Sequence, residues 1–304
     1  MFKGLFAALL LLGASMTAAQ NEEADEAELL AQYEAYAAQI QESLTYHAGR
    51  AQIEGGKASV DLGADYRYLQ QADARKVLEE LWGNPPDESI LGLIVPAEGS
   101  LIGAEAWAVA ISYQNDGHVD DEDAAGIDYN DLLAEMQEST RDANPSRQAA
   151  GYGSIELVGW AEQPRYDQAD KKMYWAKELI FDESESHTLN YDVRILGRDG
   201  VLVMSAISSM DSLPSVRKAM QSVLAQTEFN EGARYADFDP STDNLATYGV
   251  AALVAGGLAS KTGLLAKLGV LLLSLKKFLV FIVIGIGLAI KKLFGGKPAD
   301  GASS

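Results

Sequence analysis

Six carboxylates fall within the twelve residues from Asp120 to Asp131, in the stretch GHVDDEDAAGIDYNDLL that starts at Gly117. Carboxylates at this density could ligate a hard cation, dock a charged partner or cap a helix. A calcium loop of the EF-hand kind needs oxygen ligands at positions 1, 3 and 5, glycine at 6 and a bidentate Glu at 12. Started at Asp121, the stretch puts Asp123 and Gly126 correctly, but Ala125 and Leu132 fall at positions 5 and 12. The residue that should supply two oxygens is missing. An irregular site for a divalent cation such as calcium, built from Asp120, Asp121 and Asp123, stays open. The simpler expectation is that Asp128 caps a helix, Asp131 sits in its first turn, and Asp120 to Asp123 are solvated. A docking edge is the third reading, with His118, Asp120, Asp121, Glu122, Asp123 and Asp167 as its residues.

Other chemistries find less support. The histidines are His47, His118 and His187, and no two share a helical turn as a zinc hydrolase would require. There is no cysteine, so disulfides and thiolate chemistry are absent. Around Ser154, Tyr152 and Glu156 stand where a nucleophile elbow needs glycines. Gly55-Gly56-Lys57 lacks the spacing of a phosphate loop. Paired carboxylates of the glycosidase kind are identified only by geometry. No catalytic residue and no cofactor is therefore assigned. The aromatic segments WGNPP, GWAEQPRYD, MYWAKEL and LNYDVRILGR read as sheet core, or as a groove for a peptide, glycan or lipid headgroup.

The elements that must position these residues can be read from periodicity. Glu22 to Ser43 is expected to form an amphipathic helix. Ala74, Leu78, Leu81 and Trp82 share a second helical face, stopped by Gly83 and the prolines after it. Tyr129, Leu132, Leu133 and Met136 mark a third helix, and Val216, Met220, Val223 and Leu224 a last one with Pro214 in its first turn. Lys57 to Leu62 suggests an edge strand, and Ile90 to Val95 a short apolar run. Ala106 to Tyr113 alternates most cleanly. Ser154 to Trp160, Met173 to Phe181 and Leu189 to Leu196 are further strands. In the last, Tyr191, Val193 and Ile195 alternate with Asp192 and Arg194, as for a sheet with one buried face. Asp199-Gly200 is expected to make a two-residue hairpin turn into Val201 to Ile207. Together these predict an α+β domain on an antiparallel sheet with flanking helices, followed by a C-terminal transmembrane helix or helical hairpin.

The two ends are distinct from the body. Lys3, an apolar run from Leu5 to Leu12 and the small residues Thr17-Ala18-Ala19 have the tripartite form of a signal peptide. The expected organisation is a signal peptide over 1–19, an exported domain over 20–243, a membrane anchor over 244–294 and a short polar tail over 295–304. Before Ala246 the chain carries 17 Lys and Arg against 43 Asp and Glu; from there on it carries seven lysines and Asp300 alone. So acidic a body argues against nucleic acid as a partner, and a basic apolar tail argues for a membrane. Leu268 to Ile290 would reach about 34 Å as a helix, against a hydrocarbon core of about 30 Å, provided Lys276 and Lys277 snorkel.

WGNPP, GHVDDEDA, YNDLL, GWAEQPRYD, YWAKEL, HTLNYDVRILGR and YGVAALVAGG, in this order, resemble the DUF2167 family of uncharacterised bacterial membrane-anchored proteins, from about Ile53 through the tail. His118 stands where an aromatic residue such as tyrosine would be typical of the family. The resemblance implies an exported periplasmic domain with a C-terminal anchor in the bacterial inner membrane, and no established activity. The functional expectation is a non-enzymatic binding or scaffolding domain, tethered to the membrane and facing the periplasm or exterior, with an envelope protein or glycan as partner. The alternative is a membrane-associated hydrolase or metal-dependent enzyme using the acidic cluster.

Overall fold

The computed structural model describes residues 30–84, 86–103, 106–149, 153–182, 184 and 186–255. The expected signal peptide and the apolar tract from Leu268 lie outside the described residues. Among the described residues, no helix is long and apolar enough to cross a membrane. The chain divides into two compact units, Met1–Ser43 and Leu44–Ser304. In the first, residues 30–43 form helix α1, within the segment whose periodicity predicts it.

The second unit is α+β. Its main sheet has seven antiparallel strands: β3 (Tyr66–Gln70), β4 (Ile90–Pro96), β5 (Ala108–Gln114), β6 (Ile155–Asp167), β7 (Lys172–Phe181), β8 (His187–Leu196) and β9 (Val201–Ser209). They lie in the order β3-β4-β5-β9-β8-β7-β6. A smaller sheet holds β2 (Ala58–Asp61) between β1 (Arg50–Ile53) and β10 (Thr227–Phe229). β2 is therefore central and not the edge strand expected of Lys57 to Leu62. Its alternation is weak because Ala58, Ser59 and Val60 are all buried.

On one face of the main sheet, Val109, Ile111, Tyr191, Val193, Ile195, Leu202 and Met204 form a core with the small sheet and helix α4 (Leu213–Ala225). Val216, Met220, Val223 and Leu224 supply the helical side of that core, as their spacing predicts. The opposite face is covered as well. Helix α3 (Tyr129–Ala149) packs on β6, and helix α5 (Val250–Val254) packs on Met173, Trp175, Leu196 and Val201. Helix α2 (Gln71–Arg75) runs into a wider turn, Lys76–Leu81, beside β4. There Trp82 is buried, with its indole N–H donating to Leu101 O at 2.8 Å. A sheet covered on both faces corrects the expectation for β8: Asp192 and Arg194 are buried like the apolar residues between them.

The β8–β9 connection also differs from expectation. Leu196 pairs with Val201, and Gly197 N donates to Gly200 O at 2.8 Å, so four residues make the turn. Neither Asp199 nor Gly200 has the positive φ that a two-residue type I′ turn needs. Gly200 serves another purpose, since a Cβ there would lie 2.2 Å from Gln114 O. The Asp199 carboxylate accepts from Tyr113 Oη at 2.5 Å and Lys57 Nζ at 3.0 Å.

β6 is an edge strand, and α3 guards it. The Asn144 side chain copies a strand partner: its Oδ1 accepts from Ile155 N at 2.9 Å and its Nδ2 donates to Ile155 O at 3.0 Å. Gln137 Nε2 donates to Leu157 O and Val158 O at 3.2 and 3.1 Å, and Arg147 Nε to Gly153 O at 2.9 Å. These side chains satisfy backbone groups that would otherwise invite another strand.

Candidate functional site

The acidic turn joins β5 to α3 and is placed by residues far away in sequence. Gly117 has φ +98°, and a Cβ there would lie 2.7 Å from Asn244 O, so the two backbones approach only because the side chain is absent. His118 then pairs as a strand would: His118 N donates to Asn244 O at 2.8 Å, and Ala246 N donates to His118 O at 2.7 Å. Its ring stacks on Phe238 (4.0 Å, 16°) and lies 4.2 Å from the Tyr235 ring. Nδ1 donates to Arg198 O at 3.2 Å. The histidine is buried and held on every side.

The carboxylates divide into committed and open ones. Asp121 Oδ2 accepts from Lys171 Nζ at 2.6 Å and Tyr166 Oη at 2.7 Å, and Oδ1 accepts from Tyr235 Oη at 3.0 Å. Burial pushes the Asp121 carboxyl up, but the Lys171 ammonium and the two phenols outweigh it and hold it below the usual carboxylate range. Burial and the Asp121 charge push both phenols, Tyr166 and Tyr235, well above their ordinary value. Asp123 accepts from Val250 N at 2.9 Å and Ala251 N at 3.3 Å, so it caps α5. Asp116 accepts from Tyr248 Oη at 2.7 Å. Arg198 binds both oxygens of Asp243 at 2.7 and 2.9 Å.

Asp120 is exposed and only closes its own turn, accepting from Glu122 N at 2.8 Å. Glu122 is exposed. Asp167 likewise accepts from Ala169 N and Asp170 N, both at 3.1 Å, in the turn between β6 and β7. Asp128 caps α3 as expected, accepting from Asn130 N and Asp131 N at 2.9 and 3.2 Å. The expectation that Asp120 to Asp123 are all solvated fails for Asp121, which its partners largely cover; Asp123 stays exposed while its oxygens meet the first N–H groups of α5. Among the described residues, no group of three or more His, Asp or Glu side chains is arranged to hold a metal ion.

The arrangement is a clasp. Asp116, His118, Asp121, Asp123 and Arg198 together hold the segment from Tyr235 to Ala251. The sequence singles out His118, Asp121 and Asp123 as candidates, but not Arg198, Lys171, Tyr166, Tyr235, Phe238 or Tyr248. The available signal was compositional: GWAEQPRYD and the polar stretch from Asn230 to Asp243 are unusually rich in aromatic, acidic and basic residues together.

The family model described as "Protein of unknown function (DUF2167)" matches residues 45–287. No curated protein sequence matches the chain. Solved structures that show similarity include two of low score. One is the solution structure of cyanobacterial PsbP (CyanoP) from Synechocystis sp. PCC 6803, with TM-score 0.34 and 11% identity over 60% of this chain and 91% of that one. The other is the Saccharomyces cerevisiae Ran-binding protein Mog1p, with TM-score 0.33 and 9% identity over 65% of this chain and 100% of that one.

Proposed function

The chain belongs to the DUF2167 family, and we propose that it is a membrane-tethered extracytoplasmic domain that binds a partner, with the clasp fixing the domain to its anchor. The observation that carries this reading is where the clasp ends. Asp123 caps α5 at Val250, inside the uncharged stretch from Ala246 to Ser260 that opens the basic apolar tail. The acidic residues nearest the tail are thus engaged in holding the segment that leads into it. Their engagement also weighs against a hydrolase or metal-dependent enzyme built on the acidic cluster, because Asp121 and Asp123 already serve cationic and N–H partners. A partner surface on this turn narrows to Asp120 and Glu122, with Asp167 on a separate turn; an envelope protein or glycan is the proposed partner class.

Protease treatment of intact bacterial spheroplasts producing the full-length chain tests the topology. The body should be digested while a cytoplasmic marker survives, and a protected body would overturn the proposal. Photocrosslinkers at Asp120 and Glu122 test the surface: a defined crosslinked species should form in cells and vanish when the positions are moved to the guarded β6 edge.

A further inference from the structure

The face of the main sheet opposite α4, on which α5 packs, carries a second group of charges. Lys177 on β7 and Arg194 on β8 flank Asp192: Lys177 Nζ lies 3.0 Å from Asp192 Oδ2, and Arg194 Nη1 lies 3.4 Å from Oδ1. Ser205 Oγ on β9 donates to Oδ1 at 2.6 Å. The Arg194 guanidinium sits 4.9 Å from the centre of the Trp175 ring, and Trp175 is the cross-strand partner of Asp192. Asn190, the cross-strand partner of Lys177, is buried beside them.

Two cations here share one anion. Among the described residues, Asp192 is the single carboxylate paired with either of them. The Arg194 guanidinium also donates to Val193 O at 3.1 Å, which leaves most of its five N–H groups unused. The buried Trp175 indole N–H has no acceptor. Burial pushes Arg194 below its usual range, and Asp192 does not restore it. An unmatched charge removed from water costs several kcal/mol, so a fixed excess of one cation in such a place calls for a counter-ion. The side chains of Lys177 and Arg194 keep 11% and 10% of their surface open while Asp192 keeps 2%, so solvent reaches the two cationic side chains more than the carboxylate.

We propose that Lys177 and Arg194, beside the Trp175 ring, form a binding site for an oxyanion, the phosphate or carboxylate group of a small molecule or lipid headgroup. Planar guanidinium and point-charge ammonium are the usual pair for such a group. Asp192, accepting from Ser205, neutralises only one of the two charges, and one positive charge is left for the oxyanion. The site does not depend on where the domain is tethered.

The test uses the full-length chain and inorganic phosphate, with sodium chloride at matched ionic strength as the control. Phosphate should raise the Tm by about 3–5 °C for each tenfold rise in its concentration above Kd, and should shift the tryptophan emission saturably in the native chain but not in W175F. K177M leaves one cation for one carboxylate, and its response should weaken at least about tenfold. D192N frees both cations, so phosphate should bind it more tightly and raise its Tm by more than that of the native chain. Short-chain phosphatidylglycerol binding more than about tenfold tighter than phosphate would assign the site to a lipid headgroup; equal binding would assign it to a soluble ion. A native chain that responds to phosphate only as it does to chloride overturns the proposal, whether or not the variants fold.

Discussion

Asp121 shows how a residue singled out for chemistry can be occupied with structure. Its carboxyl is held below its ordinary value in the folded chain, so its stabilisation is complete above the unfolded carboxylate range, near about 3.9, and is lost as pH falls through the folded value. D121N should therefore lower stability by about 1–3 kcal/mol at neutral pH in urea unfolding. It should also flatten the loss of stability below about pH 4. His118 makes a complementary case. If its work is stacking on Phe238 and Tyr235, H118F should cost less than about 1.5 kcal/mol, whereas H118A should cost about 2–4. A loss in H118F as large as in H118A would mean that the ring nitrogen matters more than the stack. Asp128 was legible from its neighbours, since a cap and its helix are local. The role of Asp121 was not, because its partners lie 45, 50 and 114 residues away.

At the scale of elements, hairpins and helix faces were readable because each rests on near neighbours. β7, β8, β9, α3 and α4 fall close to where periodicity places them. The burial of Asp192 and Arg194 was not readable, since alternation cannot tell a solvated face from one covered by a second layer. Nor could periodicity show that α3 would guard an edge strand through Asn144. N144L should cost about 1–3 kcal/mol, because it leaves both Ile155 backbone groups without a partner in a part-buried place. Light scattering on heating should show earlier self-association in N144L than in an exposed control such as R141L, since the freed edge can pair with another chain.

For the whole molecule, the strand order carries what the sequence conceals. β9 lies between β5 and β8, so the first half of the sheet is joined to the second by a pairing that spans about ninety residues, from Ala108 with Ile207 to Gln114 with Val201. That pairing brings the turn after β5 beside the turn between β8 and β9, and so gives the clasp both Asp116 to Asp123 and Arg198. The acidic stretch and the segment after Asn230 could not be matched without it. D123A should leave the sheet intact but expose residues 244–255 to proteolysis and fast hydrogen exchange, while the amides of β8 and β9 stay protected. Loss of protection throughout the sheet would show that the clasp and the fold are one cooperative unit.

The clasp has a mechanical order written into the chain. Followed back from Val254, its attachments are met one at a time: the Asp123 cap at Ala251 and Val250, the Tyr248–Asp116 bond, the His118 bridge at Ala246 and Asn244, and the Arg198–Asp243 pair. A load applied at the C-terminal end would therefore peel these bonds in series and would not shear them together. Pulled by a handle attached there, the molecule should release roughly a dozen residues, about 40 Å of contour, at low force before the seven-stranded sheet resists. The domain would then ride on a built-in extension spring that resets when the pull ends.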